Sequence, residues 1–229
     1  MFRMSNPADF LFELGTEELP PGVLARLAEA LSNEISAGFK QTGLTFGAAK
    51  HYAAPRRLAV WVTGLADKTE PKTVEKRGPA VKAAFDADGN PTRAAMGFAQ
   101  SVGTTVDALE RMQTDKGEWL VFRSTEPGKA ASTLIPDIVT RALDKLPIPK
   151  RMRWGNSKAE FIRPVHWLLC LHGTEVVPFS ALDQRTGNIT YGHRFHHPEP
   201  ITINQPADYV EQLRHVGYVI ADFAERRDV

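Results

Sequence analysis

The sequence predicts an α+β fold, with mixed helices and mainly antiparallel sheets in one large or two closely packed domains. Three observations lead there. The chain has 229 residues, more than the usual length of one domain. Hydrophobic residues make up 42% and charged residues 24%, which supplies enough apolar material for a core. Apolar positions switch irregularly between two-residue spacing and three-to-four-residue spacing, with no repeating βαβ rhythm and no internal repeat.

Phe10-Leu11-Phe12-Glu13-Leu14 reads as a short buried strand that Gly15 ends. Pro20 and Pro21 open a helix, since proline is tolerated in a first turn where its missing N–H has no partner to lose. Val23, Leu24, Leu27, Leu31, Ile35 and Phe39 give that helix one apolar face, and Gly43 stops it. Leu58, Val60 and Val62 alternate with Ala59, Trp61 and Thr63, which is a strand pattern. Thr69 to Pro79 is polar and broken by Pro71 and Gly78, so a long connection is expected there.

Asp86 to Asn90 forms a turn, and Thr92 is placed to cap a helix through Ala94, Ala95, Phe98 and Ala99. Met112 to Phe122 reads as a hairpin with Asp115-Lys116-Gly117 at its tip. A second long helix is expected over Ala130 to Lys145, with Leu134, Ile138 and Leu143 inward and Pro147 and Pro149 ending it. Strands follow at Pro164–Leu171, Val176–Ala181 and Ile201–Ile203, with a turn at His172-Gly173 and a short helix over Ala207 to Val216. The last residues, Ala224 to Val229, look like the start of a helix with no cap, so a longer parent protein is expected. Three segments result: an N-terminal α/β segment 1–68, a helical and hairpin segment 69–150, and a β-rich segment 151–229 that leads into a cut helix.

The net charge of +1 excludes nucleic-acid binding through bulk positive charge, but not through a local basic face. Cys170, the single cysteine, lies in an apolar run and reads as a small buried hydrophobe. No stretch approaches the roughly 18 consecutive apolar residues that a membrane span needs. Met1 to Pro7 has no apolar signal region, so a cytoplasmic location is the simplest expectation.

Three constellations could carry chemistry. Glu17 and Glu18 precede Pro20-Pro21; paired carboxylates can do acid/base work, but a charged first turn favoured by the helix dipole is the plainer reading. The second group is basic: Arg56 and Arg57, Lys76 and Arg77, then Lys150, Arg151, Arg153, Trp154 and Arg163. Guanidinium forks match phosphate oxygens, and an indole offers a face to an unstacked base, although charge runs are more often solvated faces. The third group is His193, Arg194, Phe195, His196 and His197. Its histidines suggest a metal-dependent hydrolase, yet the spacing does not make their side chains converge, and a polar loop presenting Arg194 to RNA or protein is preferred. No metal site is therefore expected. No phosphate loop, nucleophile elbow or His-Glu-x-x-His pair is present, and no catalytic residue is assigned.

Several of these motifs carry a resemblance. Glu13 to Pro21, Ala53 to Leu58, Glu75 to Pro79, Ala84 to Asp86 and Thr114 to Trp119 occur in the order seen in bacterial glycyl-tRNA synthetase beta subunits. Leu146 to Gly155, Phe161 to His166, Gly192 to Phe195 and Val219 to Asp222 continue the series, so the sequence resembles that family over nearly its whole length. The resemblance implies the N-terminal portion of a beta subunit in an alpha2beta2 enzyme that attaches glycine to tRNA(Gly) at the expense of ATP. It further implies that the alpha subunit is a partner and holds the ATP and Mg. This portion would need no cofactor of its own and be inactive alone. Family members' N-terminal regions are similar to tRNA-handling modules of the phenylalanyl enzyme's larger subunit. The expected tRNA contacts are then Arg56, Arg57, Lys76, Arg77, Lys150, Arg151, Arg153, Trp154, Arg163 and Arg194. An interaction module that makes no direct tRNA contact is the alternative.

Overall fold

The computed structural model describes residues 7–115 and 117–228. Lys116, expected at a hairpin tip, lies outside them, as do the N-terminus through Asn6, where no signal region is expected, and Val229, the last residue of the stretch expected to start a helix. In chain order the elements are β1 (Ala8–Thr16), α1 (Pro21–Thr42), β2 (Ala49–Ala54), β3 (Arg57–Leu65), β4 (Lys72–Ala80), α2 (Val81–Ala84) and α3 (Arg93–Ser101). Next come β5 (Glu110–Thr114), β6 (Gly117–Glu126), α4 (Ala131–Asp144), β7 (Val165–His172), β8 (Glu175–Val176), β9 (Ser180–Ala181) and β10 (Gln184–Gly187). The chain finishes with β11 (Ile189–Tyr191), β12 (Pro200–Thr202), α5 (Tyr209–His215) and α6 (Phe223–Arg227). The fold is α+β with mostly antiparallel strands. It divides into two compact units, one of residues 1–69 with 129–229 and the other of residues 70–128.

In the larger unit the strand order is β2-β3-β1-β7-β10-β9, with β8 also on β7. All pairs are antiparallel except β7 with β10. Alternation along β1 sends Phe10, Phe12 and Leu14 to one face, where Leu27, Leu31, Ile35 and Phe39 of α1 and Ile135, Val139 and Leu143 of α4 cover them. Leu11 points to the other face and packs with Leu169, Leu171, Ile201, Tyr209 and Leu213. A sheet covered on both faces buries nearly every position of its central strands, so β1 and β7 are buried almost throughout and mostly apolar, with Glu13 the buried charged exception.

The long helix α1 begins and ends as its residues dictate. Pro21 sits at the start of α1, and Gly43 closes it in the left-handed region at φ 82°. Gly15, expected to stop β1, instead lies within it. A Cβ there would sit 1.9 Å from Trp167 Cε2, so this glycine serves the close approach of the indole. The strand expected over 176–181 is split into β8 and β9 around Pro178, which has no N–H to give a ladder. The final helix does have a cap: Asp222 accepts from the amides of Ala224 and Glu225 at 2.9 and 3.2 Å.

The smaller unit is a three-stranded antiparallel sheet, order β4-β6-β5, with a small core of Ala84, Ala95 and Leu120. The connection expected over 69–79 is mostly β4. Its partners explain the polar sequence: Lys72 faces Glu126, and Glu75 faces Arg123. Arg123 pairs with Glu75 at 2.8 Å and with Glu110 at 2.6 Å, a cross-strand bridge that apolar periodicity cannot reveal. Thr92 precedes α3 as expected, but its hydroxyl donates to Ala83 O and Ala84 O rather than capping the helix.

Candidate functional site

Within the larger unit, backbone packing at two glycines builds an open cleft of about 370 Å³. Its walls are the β2–β3 turn (Ala54-Pro55-Arg56), the loop after β11 (Gly192 to Phe195), the turn after α5 (Tyr218 to Ile220) and Arg226 of α6. His193 N–H donates to Gly217 O at 2.7 Å, tying the two loops together. A Cβ on Gly192 would lie 2.6 Å from Gly217 O, and one on Gly217 2.8 Å from Leu213 O. Only glycine at both positions allows that approach. A second opening, about 300 Å³, adjoins it and shares Arg56, Gly192 and Arg194, with Trp167, Tyr191 and His197 on its sides.

Arg57, which lines the cleft, is one half of a buried ion pair. Arg57 and Glu13 meet at 2.9 Å and are 2% and 0% exposed. Thr190 Oγ1 lies 3.1 Å from Arg57 Nη1 and 2.9 Å from Glu13 Oε1, and the second Arg57 nitrogen donates to Tyr191 O. Burial, strengthened by the Glu13 charge, pushes the Tyr209 hydroxyl well above the usual tyrosine range. Arg57, expected as a surface phosphate ligand, is thus turned inward and pins β11 to the sheet.

At the rim Glu17 gathers three partners. His166 Nε2 lies 2.9 Å from Glu17 Oε1, Arg194 Nη2 3.2 Å from Oε2, and Arg56 Nη2 3.9 Å from Oε1. Arg194 also reaches Glu18 Oε1 at 3.2 Å. Partial desolvation raises the Glu17 pKa, but the His166 hydrogen bond and the Arg56 and Arg194 charges outweigh it and hold the carboxyl below the usual glutamate range. The two glutamates were expected in the first turn of a helix; they precede α1 and face the arginines.

Of the expected site residues, Arg56, Arg57 and Arg194 all line the cleft, and Arg56 and Arg194 are the two that reach its rim. The arginines of the Lys150–Arg163 segment are spent mainly on backbone carbonyls and one carboxylate of this chain. Arg151 donates to Asp144 O at 2.8 Å and Glu160 O at 3.3 Å, and Arg163 to Glu18 O at 3.1 Å and Ile162 O at 3.0 Å. Arg153 pairs with Glu160 at 2.7 Å, Trp154 packs on the core, and Lys150 is exposed. Lys76 and Arg77 belong to the smaller unit, where the Arg77 guanidinium stacks 3.6 Å from the Trp119 ring centroid.

His193 and His196 pack against each other at a tilt of 39°, with centroids 4.5 Å apart, while His197 lines the neighbouring opening. Among the described residues no three His, Cys, Asp or Glu side chains gather so as to hold a metal ion. Sequence reasoning missed His166, Tyr218 and Arg226. Gly217-Tyr218 was the available signal, since a glycine beside an aromatic after a helix marks a turn that presents a ring.

Comparison with known proteins decides the family. The model described as glycyl-tRNA synthetase beta subunit matches residues 10–229. The chain belongs to the glycyl-tRNA synthetase beta-subunit family. It is 56% identical over 220 residues to the glycine–tRNA ligase beta subunit of Marinobacter nauticus, which covers 96% of this chain and 32% of that protein. Its identity to the beta subunit of Hahella chejuensis is 54% over 222 residues, 97% of this chain and 32% of the relative. That of Chromohalobacter salexigens is 50% identical over 218 residues, with 95% and 31% covered. The chain thus spans about a third of the length of these curated relatives. Stretches that resembled glycyl-tRNA synthetase beta subunits in the sequence, around Glu17, Arg56, His166, Arg194 and Val219, meet at the two openings. No described helix is long and apolar enough to cross a membrane.

Proposed function

We propose that this chain is the N-terminal portion of the beta subunit of an alpha2beta2 glycine–tRNA ligase, where it contributes tRNA binding and assembly. The observation that carries this reading is the family match over residues 10–229, joined to a cleft in which arginines and aromatic rings share one mouth. Arginine forks hold phosphate and ring faces hold bases, the combination that RNA-binding surfaces use. In this reading ATP and Mg are bound by the alpha subunit, the enzyme works in the cytoplasm, and the chain alone forms no glycyl-adenylate.

Two assays test it. Purified chain alone is expected to show no glycine-dependent ATP–pyrophosphate exchange, whereas its mixture with the alpha subunit binds tRNA(Gly) in a gel-shift assay. Binding should weaken with salt at a shallow log–log slope, since few phosphates are engaged. Alanine at Arg56 and Arg194 should weaken it more than alanine at Arg151, whose guanidinium is already spent on carbonyls. The inward use of Arg57, Arg151 and Arg163 favours a second reading, a protein-interaction module without RNA contact. Capture of the alpha subunit with no tRNA shift by either the chain or the mixture would support that one instead.

A further inference from the structure

Two of the loops that wall the cleft also bring four rings into contact, each tilted on the next by 39° to 54°. Phe195 and His193 are 6.0 Å apart between centroids, His193 and His196 4.5 Å, and His196 and Tyr218 5.9 Å. The ends of the row stand in water: Phe195 is 81% exposed and Tyr218 62%. Isolated exposed aromatics need no explanation, but a contiguous set at a cleft does. Tyr218 also sits at φ 54°, a conformation a side-chain-bearing residue adopts at a cost, directly after Gly217, whose carbonyl accepts from His193 N–H.

Beside this row, the guanidiniums of Arg56 and Arg194 face carboxylates of the same chain at 3.2 to 3.9 Å. A charge-assisted bond from a well-seated guanidinium runs near 2.8 Å, so these contacts are loose. They are also open to water, where such pairs contribute little and exchange partners readily. A cleft of about 370 Å³ fits a ligand of one base and sugar, not a duplex.

We propose that this cleft seats one unpaired nucleotide of an RNA strand, its base on the Phe195–Tyr218 row and its phosphate on Arg56 and Arg194. In the absence of RNA, Glu17 and Glu18 occupy the two guanidiniums as internal stand-ins for that phosphate. The inference rests on the RNA-binding reading above and adds to it a defined subsite and a competing pair of carboxylates. An acidic peptide would satisfy the arginines but has no need of four contiguous rings. The competition also keeps nonspecific binding weak, because the phosphate must displace a carboxylate before it is held.

The sign of one substitution separates this from general damage to the fold. Fluorescence anisotropy with the full chain would use two labelled RNAs, a blunt hairpin and the same stem with a short unpaired tail. Glu17→Gln with Glu18→Gln removes the competitors, and the tailed RNA should bind about threefold more tightly as two repelling charges leave. Phe195→Ala with Tyr218→Ala should weaken the tailed RNA about tenfold and leave the blunt hairpin unchanged, since base stacking is lost. If the glutamine variant fails to tighten binding, or the alanine variant fails to weaken it selectively, the subsite is overturned. The broader reading then still stands so long as the wild-type chain, alone or with the alpha subunit, shifts tRNA. If neither shifts tRNA, both fall. Circular dichroism of each variant confirms that the changes are not losses of fold.

Discussion

Removing a carboxylate and a guanidinium from water costs several kcal/mol per ion, and only close, well-bonded geometry offsets it. Glu13 and Arg57 meet that condition only in part: their 2.9 Å contact, Thr190 and the Tyr191 carbonyl bond three of the buried polar atoms, while Glu13 Oε2 and Arg57 Nε have no partner among the described residues. Replacing Arg57 with Met should therefore destabilise the larger unit by about 3–5 kcal/mol, because it leaves the Glu13 charge buried alone. Replacing both, Glu13→Leu with Arg57→Met, should recover most of that loss. Urea denaturation of the two variants checks this, and a double variant no more stable than the single would show that packing, not charge, sets the cost. Glu17 behaves differently at the rim. Its depressed pKa contributes stability above the unfolded value that is lost as pH falls through the lower folded value, and exposure keeps the effect small. Carboxyl NMR titration should find Glu17 below the usual glutamate range and find it moved upward by Arg194→Ala.

Helix packing sets the next scale. Gly38 of α1 faces Ile138 of α4, and a Cβ on it would lie 2.4 Å from Ile138 Cγ2. Alanine gains roughly 1 kcal/mol of helix propensity over glycine, whereas overpacking a β-branched neighbour costs about 1–3 kcal/mol. Gly38→Ala should thus be net destabilising by about 1 kcal/mol, and adding Ile138→Ala should relieve the clash at the expense of a cavity. A rise in melting temperature for Gly38→Ala would refute the tight α1–α4 contact. The helices themselves were legible because their apolar faces recur at helical spacing and Pro21 and Gly43 punctuate α1. β4 was not, since it is stabilised by Glu75–Arg123 and other cross-strand partners that local sequence cannot show. The cleft was half legible. Arg56 and Arg194 stood out by residue type, but the Glu17–Arg194 contact joins positions 177 residues apart, and no local pattern reports it. Arg57 was misread because its neighbour Arg56 is partly exposed while strand alternation turns Arg57 inward.

At the scale of the whole molecule, the smaller unit is an insertion whose two ends meet. Thr69 N–H donates to Lys129 O at 2.9 Å, and Lys129 N–H to Thr69 Oγ1 at 3.0 Å, both within the larger unit. The larger unit therefore already holds the two cut points side by side. A unit of about 60 residues buries a smaller share of its surface than a larger domain does, and this one has only a small apolar core. Two outcomes are expected. In the intact chain, amides of β4, β5 and β6 should exchange with solvent at lower opening free energy than those of β1 and β7, whose strands are covered on both faces. Replacing residues 70–128 with a short Gly-rich linker should leave the larger unit folded, because Thr69 and Lys129 need to be bridged only across one hydrogen-bonded pair. The excised protein should keep a cooperative thermal transition and the Trp61 and Trp167 near-ultraviolet signals of the larger unit. A molten spectrum would instead mean that residues 70–128 are needed to fold the sheet that carries the cleft.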